Sequence, residues 1–411
     1  MTAQTSLTRR LGTGDAVVIG LGSMMGAGLF AAFAPAAAAA GPWLLVGLAL
    51  AALVAWANAS SSAQLAAQYP RSGGTYLYGR ERLGEWPGFL AGWSFVIGKT
   101  ASCAAMALTV AAYAAPPGWE RPVAALAVIA LVAVNALGVT RTAQATRVIV
   151  SIVLVVLAVA VAASVAGGSA GVVLDARSFD AYGVLQSAGL LFFAFAGYAR
   201  IATMGEEVRD PARTIPRAIL GALLLAVVVY AVVGAALLLA LGPDRLASST
   251  EPIVDAAAAW PWTEPLIRFG AAAASLGALL ALIAGIGRTS LAMAREGDLP
   301  RALAHIDPVR SVPRRAEITL GIVVVVLVLT VDLRSAIGFS SFGVLLYYLV
   351  ANLSALTQEG GFRRYPRFVA VGGALGCVLL VVTLPPSSIL VGVAVLVVGV
   401  AYRLVRRRRT A

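Results

Sequence analysis

From Asp15 onward the chain alternates apolar runs with short polar connections that carry arginine. Runs such as VIVSIVLVVLAVAVAASVAG have the roughly 20 residues needed to cross about 30 Å of hydrocarbon. The pattern predicts about twelve membrane helices, with ends placed to within several residues. They fall near 14–40, 42–68, 87–114, 122–139, 146–166, 183–204, 216–241, 265–293, 317–331, 336–356, 368–384 and 387–404. The last two are short and joined only by LPPSS. The expected fold is an all-α polytopic membrane protein, one transmembrane domain over residues 1–411.

Composition narrows the classes. Sixty per cent of the 411 residues are hydrophobic and 12% charged, against roughly 25% charged in a soluble domain; the mean hydropathy is +0.89. Little room remains for a soluble domain. No cleavable signal-peptide pattern precedes the first run, which continues as a helix. Cys103 and Cys377 both lie in apolar runs and His305 is the single histidine. Disulfide, zinc and haem sites therefore lack ligands, and neither a metal nor another cofactor is expected. The abundance of alanine, valine and arginine beside one lysine suggests a high-GC bacterium, hence an inner membrane.

The net charge of +12 would suit a nucleic-acid partner, but its placement follows membrane topology. With the N-terminus in the cytoplasm, the inner loops collect Arg9, Arg10, Arg71, Arg80, Arg82, Arg141, Arg147, Arg209, Arg213 and Arg217. They also collect Arg295, Arg301, Arg310, Arg314, Arg315, Arg363, Arg364, Arg367 and the RLVRRRR tail. The outer side receives only Arg121, Arg177, Arg245, Arg268 and Arg334. One missed span would destroy this bias, so both termini are expected in the cytoplasm. The lipid bilayer is then the partner, and nucleic acid is not.

Two runs contain breaks. The first carries GLGSMMGAGLF, with glycine at 20, 22, 26 and 28, although each glycine in a helix interior costs about 1 kcal/mol relative to alanine. The sixth carries FFAFAGYAR around Gly197. Five spans separate the two starts, which predicts an inverted repeat, 14–166 against 183–356, with 368–404 as two extra helices. Broken helices at matching places point to a midplane site in secondary transporters. Unwound backbone at that depth is tolerated where it lines a cavity or is buried in protein. Its freed N–H groups suit a carboxylate and its freed carbonyls an ammonium, so an α-amino acid matches both. Gly26, Ala27 and Gly28 would let it approach the backbone. The alternative use of these small residues is a helix-packing face.

Four blocks resemble the amino acid–polyamine–organocation (APC) family of permeases, which share the inverted-repeat fold of the sodium-coupled leucine transporter. SMMGAGLF is similar to the family's broken first helix, and YPRSGGTYLYGRERLGEWPGFLAGW to its cytoplasmic loop and third-helix entry. FFAFAGYARIATMGEEVRDPARTIPRAI resembles the sixth helix and following loop, and GRTSLAMAREGDLPRAL the end of the eighth. The motifs span residues 12–357. The resemblance implies that amides near Ala27 and Gly28 bind the substrate carboxylate, while carbonyls of Met24, Phe193 and Ala196 bind its amino group. It implies that Phe193 packs over the ligand as a gate. Glu206 and Glu207 would pair with inner-loop arginines to steady the inward-closed state, or stand as ordinary solvated acids.

The chain departs from the family where many relatives carry an acid after the sixth-span break: GYAR puts Ala199 and Arg200 there. The fifth span also lacks the lysine of several proton-coupled relatives. Instead, the single lysine is Lys99, about thirteen residues into the third span, or roughly 20 Å deep at 1.5 Å per residue. An ionised lysine there costs about 2.5–3.5 kcal/mol on insertion scales, and burial equips it to release a proton. It is either a coupling group or a fixed charge on broken-helix carbonyls. With no acid in the expected site and Arg200 near it, a neutral amino acid in a pocket of Phe193, Phe195 and Tyr198 is expected, with H+ as the coupling partner. If Arg200 faces inward, an acidic substrate becomes plausible.

The expected function is a secondary active transporter working by alternating access. The alternatives are an exchanger for cationic amino acids or polyamines and a non-transporting amino-acid sensor. An enzyme is not expected, because no nucleophile–base pair or metal cluster exists. A primary pump would need a phosphate-binding GxxxxGK[ST], which is absent.

Overall fold

The computed structural model describes residues 11–70, 73–137, 143–172, 174–205, 207–307, 310 and 312–410. Most of these are helical; a single isolated bridge, Leu11 to Val208, is the only extended pairing among the described residues. The first apolar run forms three pieces. Helix α1 (Thr13–Met24) begins where the Asp15 carboxylate accepts the Gly12 N–H at 3.1 Å, and the chain then leaves helical geometry at Met25 and Gly26. It resumes as α2 (Ala27–Phe30) and α3 (Phe33–Ala40). Helix α4 (Leu44–Gln68) follows, then a short α5 (Thr75–Leu83) held between Gly74 and Gly84, and the 30-residue α6 (Glu85–Ala114). Next come α7 (Glu120–Ala136) and α8 (Ala143–Ala166).

The sixth run is also broken. Helix α9 (Ala181–Phe195) starts at Asp180, whose carboxylate caps the N–H groups of Tyr182 and Gly183, satisfying donors that a helix start leaves open. It tightens into a 3₁₀ turn at Ala196–Tyr198 and ends as α10 (Ala199–Ala202). Then follow α11 (Pro211–Ser248), bent at Gly242, α12 (Pro252–Ala256), α13 (Glu264–Arg295), α14 (Arg314–Thr330), α15 (Leu333–Leu356), α16 (Arg367–Val382) and α17 (Pro386–Thr410).

Helices occupy all twelve expected intervals. Eight segments among the described residues are long and apolar enough to cross a membrane, and Arg367–Val382 is a shorter apolar helix. Large apolar side chains face outward around the bundle, among them Leu53, Leu126, Val155, Leu224, Phe269, Ile322, Leu375 and Leu390. A soluble protein rarely exposes so much contiguous apolar surface. The chain is a multi-pass membrane protein.

The core forms around α6, which packs on α13 and α15 and also meets α7 and α14. Around 80% of the apolar stretches of α6, of α9 with α10, and of α15 is buried, against 22% for α17, so the broken sixth run lies inside and α17 outside. Polar contacts stitch the interior together, as is usual where apolar packing alone gives no preference over lipid. Asn352 donates to Asn58 at 2.6 Å and Ser61 to Asn352 at 2.7 Å, while Ser102 meets Ser340 at 2.6 Å.

Candidate functional site

The two breaks lie against each other, and the glycines permit it. A Cβ on Gly28 would stand 2.5 Å from the Ala194 Cα, and one on Gly197 would stand 2.4 Å from the Ser23 carbonyl oxygen. Any larger residue at either position would push the two broken helices apart. Packing is therefore a real use of both glycines, in addition to any ligand.

Each break has freed backbone groups, and side chains from other helices meet several of them. Tyr230, on α11, is fully buried; its hydroxyl is 2.7 Å from the Met24 carbonyl and 2.9 Å from the Ala194 carbonyl, bridging the two breaks. The Ala27 N–H, which opens α2, donates to Met106 Sδ at 3.0 Å. Lys99 Nζ donates to the Ala196 carbonyl at 3.0 Å, and the Tyr348 hydroxyl approaches the same oxygen at 3.5 Å. The Phe193 carbonyl accepts the Ala196 N–H at the end of α9. Thus the ligand expected for Ala196 has a stand-in: a protein ammonium sits on that carbonyl, while a thioether, a weak neutral acceptor, sits on the Ala27 amide.

Below the breaks lies a narrow cleft of about 30 Å³. Ser23 of α1, Phe95 and Lys99 of α6, and Ala196, Gly197, Ala199, Arg200 and Thr203 of the sixth run line one part of it. The rest is the α13 face of Ala278, Ala281, Leu282 and Gly285. Its described lining holds two cations and no carboxylate. Arg200 donates to the Thr203 hydroxyl at 3.2 Å and lies 3.9 Å from Glu207, so its charge is drawn toward the cleft's lower rim.

Of the residues singled out from sequence, the structure brings Lys99, Ala196, Gly197 and Arg200 to the cleft, with Met24, Gly26, Ala27 and Gly28 directly above. Phe193 and Tyr198 are buried outside its lining. The Tyr198 ring stacks on Tyr348 at 5.0 Å, and Phe195 packs on Tyr230 at 5.0 Å. Glu207 pairs with Arg288 at 2.8 Å; Glu206 lies outside the described residues. Tyr230 and Met106 escaped the sequence reading. A lone tyrosine within VVVYAVV, like a methionine in an apolar run, carries no local sign of a partner.

The two ends of the bundle are closed differently. At one end Arg268 makes a bidentate pair with Glu251, at 2.5 and 2.7 Å, and donates to the Tyr113 carbonyl; the Tyr113 hydroxyl donates to the Phe30 carbonyl at 2.9 Å. That ties α2 to α6 and α13. At the arginine-rich end the pairs are more exposed: Arg288 with Glu207, which Arg200 also approaches, and Arg147 with Asp15 at 2.6 Å.

Comparison with known proteins agrees with this architecture. Residues 11–402 match the family model described as amino acid permease. An uncharacterized transporter of Mycobacterium tuberculosis is 58% identical over 405 residues, covering 98% of this chain and 92% of the relative. The chain is also similar to the branched-chain amino acid permease BcaP of Bacillus subtilis, at 26% identity over 75% of this chain and 72% of that protein. It is 28% identical to the chloroplastic cationic amino acid transporter 7 of Arabidopsis thaliana, over 85% of this chain and 65% of that protein.

Proposed function

We infer that this chain, which belongs to the amino acid permease family, is a secondary active transporter of neutral amino acids, coupled to protons and working by alternating access. The zwitterion binds where the two breaks meet. Its carboxylate takes the amides at Ala27 and Gly28, and its amino group takes the carbonyl face of Met24, Phe193 and Ala196. Its side chain lies against the apolar α13 face of Ala278, Ala281 and Leu282. Lys99 is the coupling group: charged, it holds the Ala196 carbonyl; after losing its proton it releases the sixth-run break.

The observation that carries this reading is the Lys99–Ala196 contact inside a cleft whose described lining holds two cations and no acid. A substrate with a second positive charge would be left unpaired there, which is expensive in a desolvated site. The name of BcaP points the same way, whereas that of the Arabidopsis relative points to cationic substrates. The chemistry of the cleft favours the neutral class.

The helices support a topology of twelve spans, built as an inverted repeat of 14–166 and 183–356 with 368–404 appended. Both termini would lie on the cytoplasmic side of the inner membrane, since the arginine-bearing loops gather at one end. Uptake into proteoliposomes by the purified protein tests the substrate class, using labelled leucine, alanine, arginine, putrescine and glutamate. Leucine or alanine uptake stimulated by an inward proton gradient supports the reading. Uptake of arginine or putrescine alone overturns it, and saturable binding without flux would make the chain a sensor.

A further inference from the structure

One buried acid has no part in the account above. Glu317 stands in the first turn of α14, is 2% exposed, and its Oε2 has no hydrogen-bond partner among the described residues. Its stem lies flat on α13: a Cβ on Gly287 would stand 3.1 Å from the Glu317 Cγ and 3.5 Å from its Oε1. The residue after Gly287 is Arg288, which pairs with Glu207 at 2.8 Å and is itself 43% exposed.

That pair holds more than two side chains. Glu207 sits in the connection beyond α10, where its carbonyl accepts the Leu11 N–H, and the Arg209 N–H donates back to Leu11. Leu11 leads into α1. Arg288 therefore fastens to α13 the backbone bridge that joins the lower ends of both broken helices. Gly285, one turn before Arg288, lines the cleft.

Helix α13 supplies Arg288 and Arg295 to this face, α14 supplies Arg314 and Arg315, and α10 supplies Arg200, 3.9 Å from Glu207. Arg314 approaches Asp307 at 4.0 Å, and Arg310 reaches toward the Ala136 carbonyl at the end of α7. Of these, Arg288 is the one next in the chain to the glycine on which the Glu317 side chain packs. A buried carboxylate with an oxygen left without a partner is costly unless it takes a proton or gains a cation, and Arg288 adjoins the glycine that Glu317 covers.

We propose that Glu317 is a proton-binding site that competes with Glu207 for Arg288, so that its protonation sets whether the arginine-rich end beneath the cleft is latched. With Glu317 neutral, Arg288 stays on Glu207 and the lower halves of the two broken helices are held. With Glu317 ionised, Arg288 is drawn toward α14 and they are released. The proposal rests on the reading that the cleft opens toward this end.

The test uses labelling, which needs no substrate. Ser23 lines the cleft, and the two native cysteines are buried. In the purified full chain carrying Ser23→Cys, the rate of reaction with a water-soluble maleimide is compared with that of the same chain carrying Glu317→Gln. The ratio of the two rates cancels the intrinsic pH dependence of the thiol. Between about pH 5.5 and about pH 7.5, bracketing perturbed carboxyl values, the ratio should rise at least about fivefold, the lower end of ordinary coupling between sites. A flat ratio overturns the proposal. If Glu317→Gln fails to fold, Glu207→Gln decides: its labelling relative to the parent must be high at the acid end and converge toward one at the other. A constant ratio overturns the proposal there too. A preserved latch without leucine or alanine uptake would sink only the substrate assignment.

Discussion

The arginine-rich end carries two kinds of charge cluster, and they are built for different purposes. In the first, Arg403 of α17 and Asp298 beyond α13 are each 4% exposed and 3.2 Å apart. Arg403 also donates to the Glu85 carbonyl at 2.7 Å and lies over the rings of Trp86 and Phe89. Asp298 further accepts from Tyr76 at 2.9 Å and pairs with Arg80 at 3.2 Å. Burial, then the neighbouring Asp298, push the Tyr76 hydroxyl upward, far from physiological titration. In the second cluster, Arg147 pairs with Asp15, and Arg288 pairs with Glu207, which Arg200 also approaches at 3.9 Å; Arg288 and Arg147 are 43% and 60% exposed. A buried, multiply bonded pair is strongly destabilised by losing one member, whereas an exposed pair is worth about 0–1 kcal/mol. The first cluster binds α5, α6, α13 and α17 into a frame. The second holds its members far more weakly, and it sits below the broken helices, where the proposed alternating access would require movement.

That contrast can be attacked in order of expected effect. Arg403→Ala leaves Asp298 buried with less compensation and should destabilise the fold by about 3–5 kcal/mol, measured by denaturant unfolding in detergent. A loss below about 1 kcal/mol, the range of exposed pairs, would dissolve the distinction between the clusters. Gly28→Val drives a branched side chain into the Ala194 backbone. It should abolish uptake while the protein still inserts and elutes as a single species, and normal substrate binding by this variant would refute the site at the breaks. Met106→Leu removes the sulfur from the Ala27 amide while keeping the volume, so a substrate carboxylate no longer competes with it. KM should fall about fivefold, corresponding to a neutral hydrogen bond of about 1 kcal/mol, with kcat little changed; a raised KM would mean that Met106 shapes the pocket rather than occupying the amide. Smallest of all, Glu207→Gln should shift unfolding stability by less than about 1 kcal/mol while changing cleft accessibility.

How much of this was legible in the sequence follows from physical range. The apolar runs and the two breaks were visible because membrane helices are locally satisfied and glycine announces local departure. Lys99 stood out because it is the single lysine in an apolar run. The partners of those features were not visible. Tyr230 is 36 residues from Ala194 and 206 from Met24, and nothing local marks a tyrosine as a bridge. Arg403 reads as one more arginine in a basic tail, yet it is buried and lies over the rings of Trp86 and Phe89. Phe193 and Tyr198 were expected to face the ligand, but a break makes side-chain direction depend on the exact turn geometry. The 3₁₀ turn at Ala196–Tyr198 sends Tyr198 onto Tyr348 instead.

The central claim is that Lys99, on the Ala196 carbonyl, links amino-acid movement to protons. It is tested most directly by leucine uptake into proteoliposomes with and without an inward proton gradient, comparing the parent chain with Lys99→Met. The account predicts gradient-stimulated accumulation by the parent, and in Lys99→Met a residual uptake indifferent to the gradient. Equal stimulation of both proteins would contradict it and leave Lys99 as a fixed charge that holds the sixth-run break.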